Sequence, residues 1–118
     1  MKILIVDDST TIRQQVNFTL TKDGFQVIEA VDGLDGIEKL KENPDVKLII
    51  SDVNMPNMNG LEMVEKLHEI GNTVPIVMLT TEGSLEMIDR AKKAGAKGWM
   101  VKPFQPPQLI AAVKKLAA

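Results

Sequence analysis

Three stretches of this chain end in the same way, and together they restrict its fold more than any other feature. Leu48-Ile49-Ile50-Ser51-Asp52 is an apolar run of strand length that stops on a carboxylate, with the loop Val53-Asn54-Met55-Pro56 behind it. Ile3-Leu4-Ile5-Val6 stops on Asp7-Asp8, and Met100-Val101 stops on Lys102-Pro103. Short apolar runs bounded by turn residues read as strands of a parallel sheet, buried on both faces. Pro56 and Gly60 turn the chain after the central run. Open α/β sheets place their chemistry at the C-terminal ends of the strands. Asp7, Asp8, Asp52 and Lys102 are therefore expected to converge on one crevice.

Helical patterns separate the strands. Asp8 or Ser9 can cap a first helix, with Ile12, Val16 and Leu20 one turn apart on its inner face. Asp23-Gly24 ends it, and Phe25 to Glu29 reads as an edge strand. A second helix is expected from about Leu34 to Lys41, with Leu34, Ile37 and Leu40 inward and Asn43-Pro44 as its stop. A third starts near Asn59-Gly60 and buries Leu61, Val64 and Leu67. Pro75 can only begin a strand or sit at its edge, so Ile76 to Leu79 is expected to form the fourth. A helix from about Ser84 to Lys93 follows, then a fifth strand over Lys97 to Val101. Pro106 and Pro107 suit the first turn of a last helix that buries Leu109, Val113 and Leu116. Five β–α units argue for a doubly wound parallel sheet with helices on both faces. Right-handed crossovers put the loops after strands 1, 3, 4 and 5 on one edge. Periodicity leaves the strand order open.

Composition excludes several classes. The 118 residues read as one domain, 1–118. A net charge of −2 gives no global attraction to nucleic acid or anionic membrane. The absence of cysteine removes disulfides and thiolate metal sites. No apolar run approaches the ~20 residues of a membrane span, and no signal-peptide pattern opens the chain, so a cytoplasmic location is expected.

The acids carry the chemistry. Two like charges ~4 Å apart repel by about 4 kcal/mol at an effective dielectric near 20. Three carboxylates in one crevice need positive charge beside them. Lys102 supplies one unit, and the excess suits Mg2+, which takes one or two carboxylates, waters and a phosphate oxygen. Zinc lacks the nitrogen and sulfur ligands it favours. A carboxylate beside Mg2+ and a lysine can accept a phosphoryl group, with both cations neutralising the charge in transit. Thr80, ending strand 4, can donate a hydrogen bond to that group. Taken singly, Asp7-Asp8 is a helix cap, Asp52 a turn acid and Lys102 a surface lysine. Their joint placement at strand ends favours the site.

The segments LIVDDS, ISDVNMPNMNG, IVMLTT and AGAKGWMVKPF, with the closing helix, resemble bacterial two-component response-regulator receiver domains, and among them the single-domain chemotaxis regulators. The resemblance covers essentially the whole chain. It implies the flavodoxin-like strand order 2-1-3-4-5. It implies Asp52 as the phosphorylated residue, Asp7, Asp8, Asp52 and the Asn54 backbone carbonyl as Mg2+ ligands, and Lys102 as partner of the phosphoryl group. Thr80 and Trp99 match the switch hydroxyl and aromatic, with tryptophan standing where tyrosine or phenylalanine is usual. Asn54 and Glu82 flank the path of an attacking water and are expected to set the phosphoryl lifetime. The Lys102–Pro103 bond is expected to be cis.

The implied function is a phosphorylation-controlled switch rather than an enzyme, although it promotes its own phosphorylation and dephosphorylation. A histidine kinase donates the phosphoryl group. With no output domain in the sequence, the output is contact with a target at the face of the fourth helix, fifth strand and fifth helix, foremost the flagellar motor switch in chemotaxis. A phosphatase is a further partner, and the domain is expected to be a monomer. The alternative is a stand-alone phosphorelay intermediate that hands the group to another histidine protein. A haloacid-dehalogenase-type hydrolase would need a second acid two residues after its nucleophile, where Asn54 stands. A flavodoxin-like electron carrier would need a flavin-phosphate loop where Asp7-Asp8 repel phosphate. Lys92, Lys93, Lys97, Lys114 and Lys115 cluster around the implied face and suit an acidic partner segment. His68, the single histidine, reads as a solvated helix-end residue, and the seven methionines as packing.

Overall fold

Each expected strand forms and is followed by a helix. The computed structural model describes residues 1–117; Ala118, the end of the expected domain span, lies outside the described residues. The elements are β1 (Lys2–Val6), α1 (Thr10–Lys22), β2 (Gln26–Ala30), α2 (Gly33–Glu42), β3 (Val46–Ser51), α3 (Gly60–Glu69), β4 (Ile76–Thr80), α4 (Leu85–Lys93), β5 (Gly98–Val101) and α5 (Pro106–Leu116). The five strands are all parallel, in the order β2-β1-β3-β4-β5. This is the doubly wound, flavodoxin-like arrangement, with β3 at its centre between β1 and β4.

The continuous apolar runs have a direct cause. Side chains alternate across a strand, and both faces of this sheet are covered. Leu4, Val6 and Ile49 face one core, closed by Leu61, Val64 and Leu67 of α3 and Ala91 of α4. Ile3, Ile5, Leu48 and Ile50 face the other, closed by Val16 and Leu20 of α1 and Leu109 and Val113 of α5. Leu116 is only partly buried against this second core.

Helix starts follow the capping residues. Ser9, rather than Asp8, caps α1 by accepting the Ile12 N–H at 3.3 Å. Asn59 and Glu62 form a reciprocal capping box on α3, and Ser84 caps α4. Pro106 and Pro107 occupy the first two positions of α5. Several strand boundaries differ by a residue from the expected ones: β1 starts at Lys2, β2 runs Gln26–Ala30, β4 ends at Thr80 and β5 starts at Gly98.

Leu34 departs from expectation. It is 54% exposed, whereas Gly33 and Gly36 of the same helix are buried. The helix starts one residue earlier and lies close on its neighbours. A Cβ on Gly36 would stand 2.8 Å from Met63 Sδ and 3.1 Å from a Val6 methyl. Ile37 and Leu40 share the inner stripe with these glycines, and Leu34 turns to solvent.

Candidate functional site

Three side chains reach one edge because each follows a strand that the ladder holds for one bond more. The Asp7 N–H donates to the Ala30 carbonyl at 3.0 Å, the Asp52 N–H to Val6 at 3.0 Å, and the Lys102 N–H to Thr80 at 2.8 Å. Arg13 of α1 pins the Asp7 carbonyl at 2.7 Å and holds Glu29 of β2 at 3.0 Å. That support is invisible in the sequence, because it joins a helix to two strand ends. The Lys102–Pro103 bond is cis.

Lys102 Nζ lies 2.8 Å from Asp7 Oδ2 and 3.0 Å from Asp52 Oδ2. The side chains of Asp7, Asp52 and Lys102 are 1%, 10% and 11% exposed, so water screens these pairs poorly. Asp7 Oδ1 accepts the Ser9 N–H at 2.9 Å, and Asp52 Oδ1 accepts the Val53 N–H at 2.7 Å. Asp8 is exposed at the mouth. Carboxylate oxygens of Asp7, Asp8 and Asp52 lie within 4.8 Å of one another.

Electrostatics reflect the crowding. Burial pushes the Asp7 pKa above the ordinary aspartate value, despite hydrogen bonds from Lys102 and the Ser9 N–H. Burial works against the Lys102 ammonium, yet the hydrogen bonds to Asp7 and Asp52 hold its pKa above the usual lysine value. Three carboxylates face one ammonium, and the surplus is negative. An all-oxygen donor set with surplus negative charge fits a hard divalent cation such as Mg2+. His68, the one nitrogen ligand of its kind in the chain, sits exposed on α3.

The other expected residues form a chain of contacts beside the crevice. Asn54 Nδ2 donates to Glu82 Oε1 at 2.8 Å. The Glu82 N–H donates to Thr80 Oγ1 at 3.3 Å, and Trp99 Nε1 donates to the Glu82 carbonyl at 2.9 Å. Thr80 is fully buried, and Trp99 is partly buried against the α3–α4 side of the core. Glu82 acts through more than the side chain expected beside the water's path. Its backbone joins Thr80 to Trp99, a link that loop geometry creates and no residue type signals.

A family model for the response regulator receiver domain matches residues 3–114. The chain belongs to the receiver domain family. Its relatives include the chemotaxis protein CheY1 of Helicobacter pylori, 45% identical over 112 residues that cover 92% of this chain and 90% of that one. The CheY homolog of Campylobacter jejuni is 46% identical over 112 residues, covering 92% of this chain and 86% of its own. The crystallised CheY4 of Vibrio cholerae superposes with a TM-score of 0.90 at 43% identity, covering 98% of this chain and 97% of that one. A chain of the CheX–CheY–BeF3–Mg2+ complex of Borrelia burgdorferi gives a TM-score of 0.93 at 27% identity, covering 100% of this chain and 90% of that one. Receiver domains are phosphoacceptor switches that bind Mg2+ at an acidic cluster, and the relatives named above are of the CheY chemotaxis type. Membership sets aside the dehalogenase and flavodoxin readings, which place other loop chemistry on a similar sheet.

Proposed function

We propose that this receiver accepts a phosphoryl group on Asp52 from the phosphohistidine of a kinase and signals by binding a target protein in chemotaxis. The observation that carries the reading is Lys102 Nζ bridging Asp7 and Asp52 at 2.8 and 3.0 Å, with Asp8 at the mouth. A carboxylate oxygen of Asp52 attacks phosphorus; a P–O bond forms as the P–N bond to imidazole breaks. Asp7, Asp8, Asp52 and the Asn54 carbonyl would hold Mg2+, which supplies charge neutralisation for the phosphoryl oxygens. Lys102 follows the developing charge from its place against Asp52. Water reverses the modification past Asn54 and Glu82, whose side chains meet at 2.8 Å.

The surface of α4, β5 and α5 is the proposed docking face. Leu85 and Val101 are 85% and 56% exposed there, and Lys92, Lys97 and Lys115 are exposed as well. Lys114, also exposed, pairs with Asp23 at the end of α1 at 3.4 Å. Exposed apolar side chains and lysines on these elements suit an acidic, amphipathic segment of a motor-switch or similar target. In this reading the domain acts as a monomer and meets its kinase in the cytoplasm. Among the described residues no helix is long and apolar enough to cross a membrane.

Intact-mass measurement with acetyl phosphate tests the chemistry. One phosphate should add to the unaltered chain only with Mg2+ present, and none to Asp52→Asn. Equal uptake by Asp52→Asn would refute the assignment. Capture from lysate with and without beryllofluoride then tests the output: recovery of motor-switch proteins supports chemotaxis.

A further inference from the structure

Among the described residues, five polar or charged ones are buried: Asp7, Asp32, Ser51, Asp52 and Thr80. Four lie in the crevice or at the strand ends that build it. Asp32 lies outside, at the start of α2, and divides its two oxygens. Oδ1 accepts the Asp35 N–H at 2.8 Å and caps the helix. Oδ2 accepts from Asn57 Nδ2 at 2.8 Å, reaching 25 residues along the chain into the loop between β3 and α3. A cap needs one oxygen, which serine or asparagine also supplies. The second oxygen holds the loop.

That loop needs holding. Asn57 has φ 65°, the one positive value outside glycine among the described residues. The Met58 N–H donates to the Pro56 carbonyl at 2.7 Å and closes a three-residue turn about Asn57. Turns of this hand are strained and persist only where the surroundings impose them. A second bond runs beside the first: the Gly33 N–H donates to the Met58 carbonyl at 2.9 Å. A Cβ on Gly33 would stand 2.6 Å from that oxygen, so only glycine permits the approach. The root of the loop is fastened too. The Gly60 N–H donates to the Val53 carbonyl at 2.8 Å, and a Cβ on Gly60 would collide with the Asp52 carbonyl. Asn54 lies between the two fastenings.

We infer that Asp32 is a positioning residue for the phosphoacceptor loop: its bond to Asn57 holds residues 53–59 in the shape that presents the Asn54 carbonyl to the cation. The inference rests on the proposed Mg2+-dependent function. Holding a ligand in place before the ion arrives removes an ordering cost from binding.

Three variants separate this role from plain capping. Asp32→Ser keeps a cap and cannot reach Asn57. Asn57→Gly keeps the positive φ at no steric cost and deletes the contact. Asp32→Asn keeps the cap, and a flipped Asn57 amide restores a neutral bond. In the metal-free protein, amides of residues 53–59 should exchange about five- to tenfold faster in Asp32→Ser and Asn57→Gly, the loss of one hydrogen bond. Mg2+ affinity by calorimetric titration should fall roughly tenfold in both, the low end for groups that orient a metal ligand, and Asp32→Asn should recover most of it. Unchanged exchange, or faster exchange with unchanged Mg2+ affinity, overturns the inference while an intact response of the unaltered protein leaves the proposed function standing. No Mg2+ binding by the unaltered protein overturns the proposed function itself, and the inference with it.

Discussion

Replacing Lys102 by methionine keeps the aliphatic stem and deletes the charge that two buried carboxylates share. At an effective dielectric near 20, the contacts at 2.8 and 3.0 Å are each worth about 5–6 kcal/mol. The carboxylates, within 4.8 Å of each other, repel by at least about 3.5 kcal/mol on the same scale. Burying the ammonium costs several kcal/mol and offsets much of the attraction. The loss also has a ceiling, because Asp7 can escape the repulsion by taking a proton. From an ordinary value of 3.8 that costs about 4 kcal/mol at pH 7, and burial already raises this group's pKa, which lowers the cost. The metal-free variant should therefore lose about 3 kcal/mol at pH 7, or roughly 12 °C in Tm for a chain of this size. The pH dependence identifies the cause. A carboxyl whose folded pKa lies above its unfolded value favours the folded state as pH falls through the folded pKa toward the unfolded one. The gap between variant and parent should shrink by more than half at pH 4.5, and saturating Mg2+ at pH 7 should close most of it. Thermal and urea melts at both pH values, with and without Mg2+, measure all of this. An equal loss at pH 7 and pH 4.5 would refute the electrostatic account and leave lost packing as the cause.

Three further outcomes follow from the same geometry. Asp8→Ala relieves repulsion at the mouth, so the metal-free Tm should rise by a few degrees, about 1 kcal/mol, while calorimetry shows weaker Mg2+ binding; unchanged affinity would remove Asp8 from the site. Changing Asn54 and Glu82 together to lysine or arginine should shift the dephosphorylation rate several-fold, and because these side chains bond to each other, the single changes should not combine additively. Beryllofluoride with Mg2+ should change the emission and quencher accessibility of Trp99, the one tryptophan, and Thr80→Ala should weaken both changes without blocking phosphate uptake by Asp52; identical quenching of the free and beryllofluoride-bound forms would show that the link through Glu82 carries no signal.

The sequence alone determined the alternation of strand and helix, because a strand covered on both faces must read as an unbroken apolar run, as Leu48 to Ile50 does. It also placed Asp7, Asp52 and Lys102 at one edge, since parallel strands with right-handed crossovers bring their C-terminal ends together. The strand order came with the family resemblance, as nothing in periodicity distinguishes neighbours in a sheet. Tertiary structure decided what depends on close approach between distant segments. Leu34 looks inward by spacing, but Gly36 lets α2 settle onto Met63 and Val6 and rotates Leu34 to solvent. Nothing in the spacing singles out Asp32, and only the folded chain brings Asn57 to its second oxygen. Glu82 reads as an acid whose side chain flanks the path of an attacking water, and only the loop's path sets its N–H on Thr80 and its carbonyl on Trp99. Local patterning fixes which face of an element is apolar. Hydrogen bonds between loops depend on where two backbones meet in space, and one-dimensional spacing does not encode that meeting.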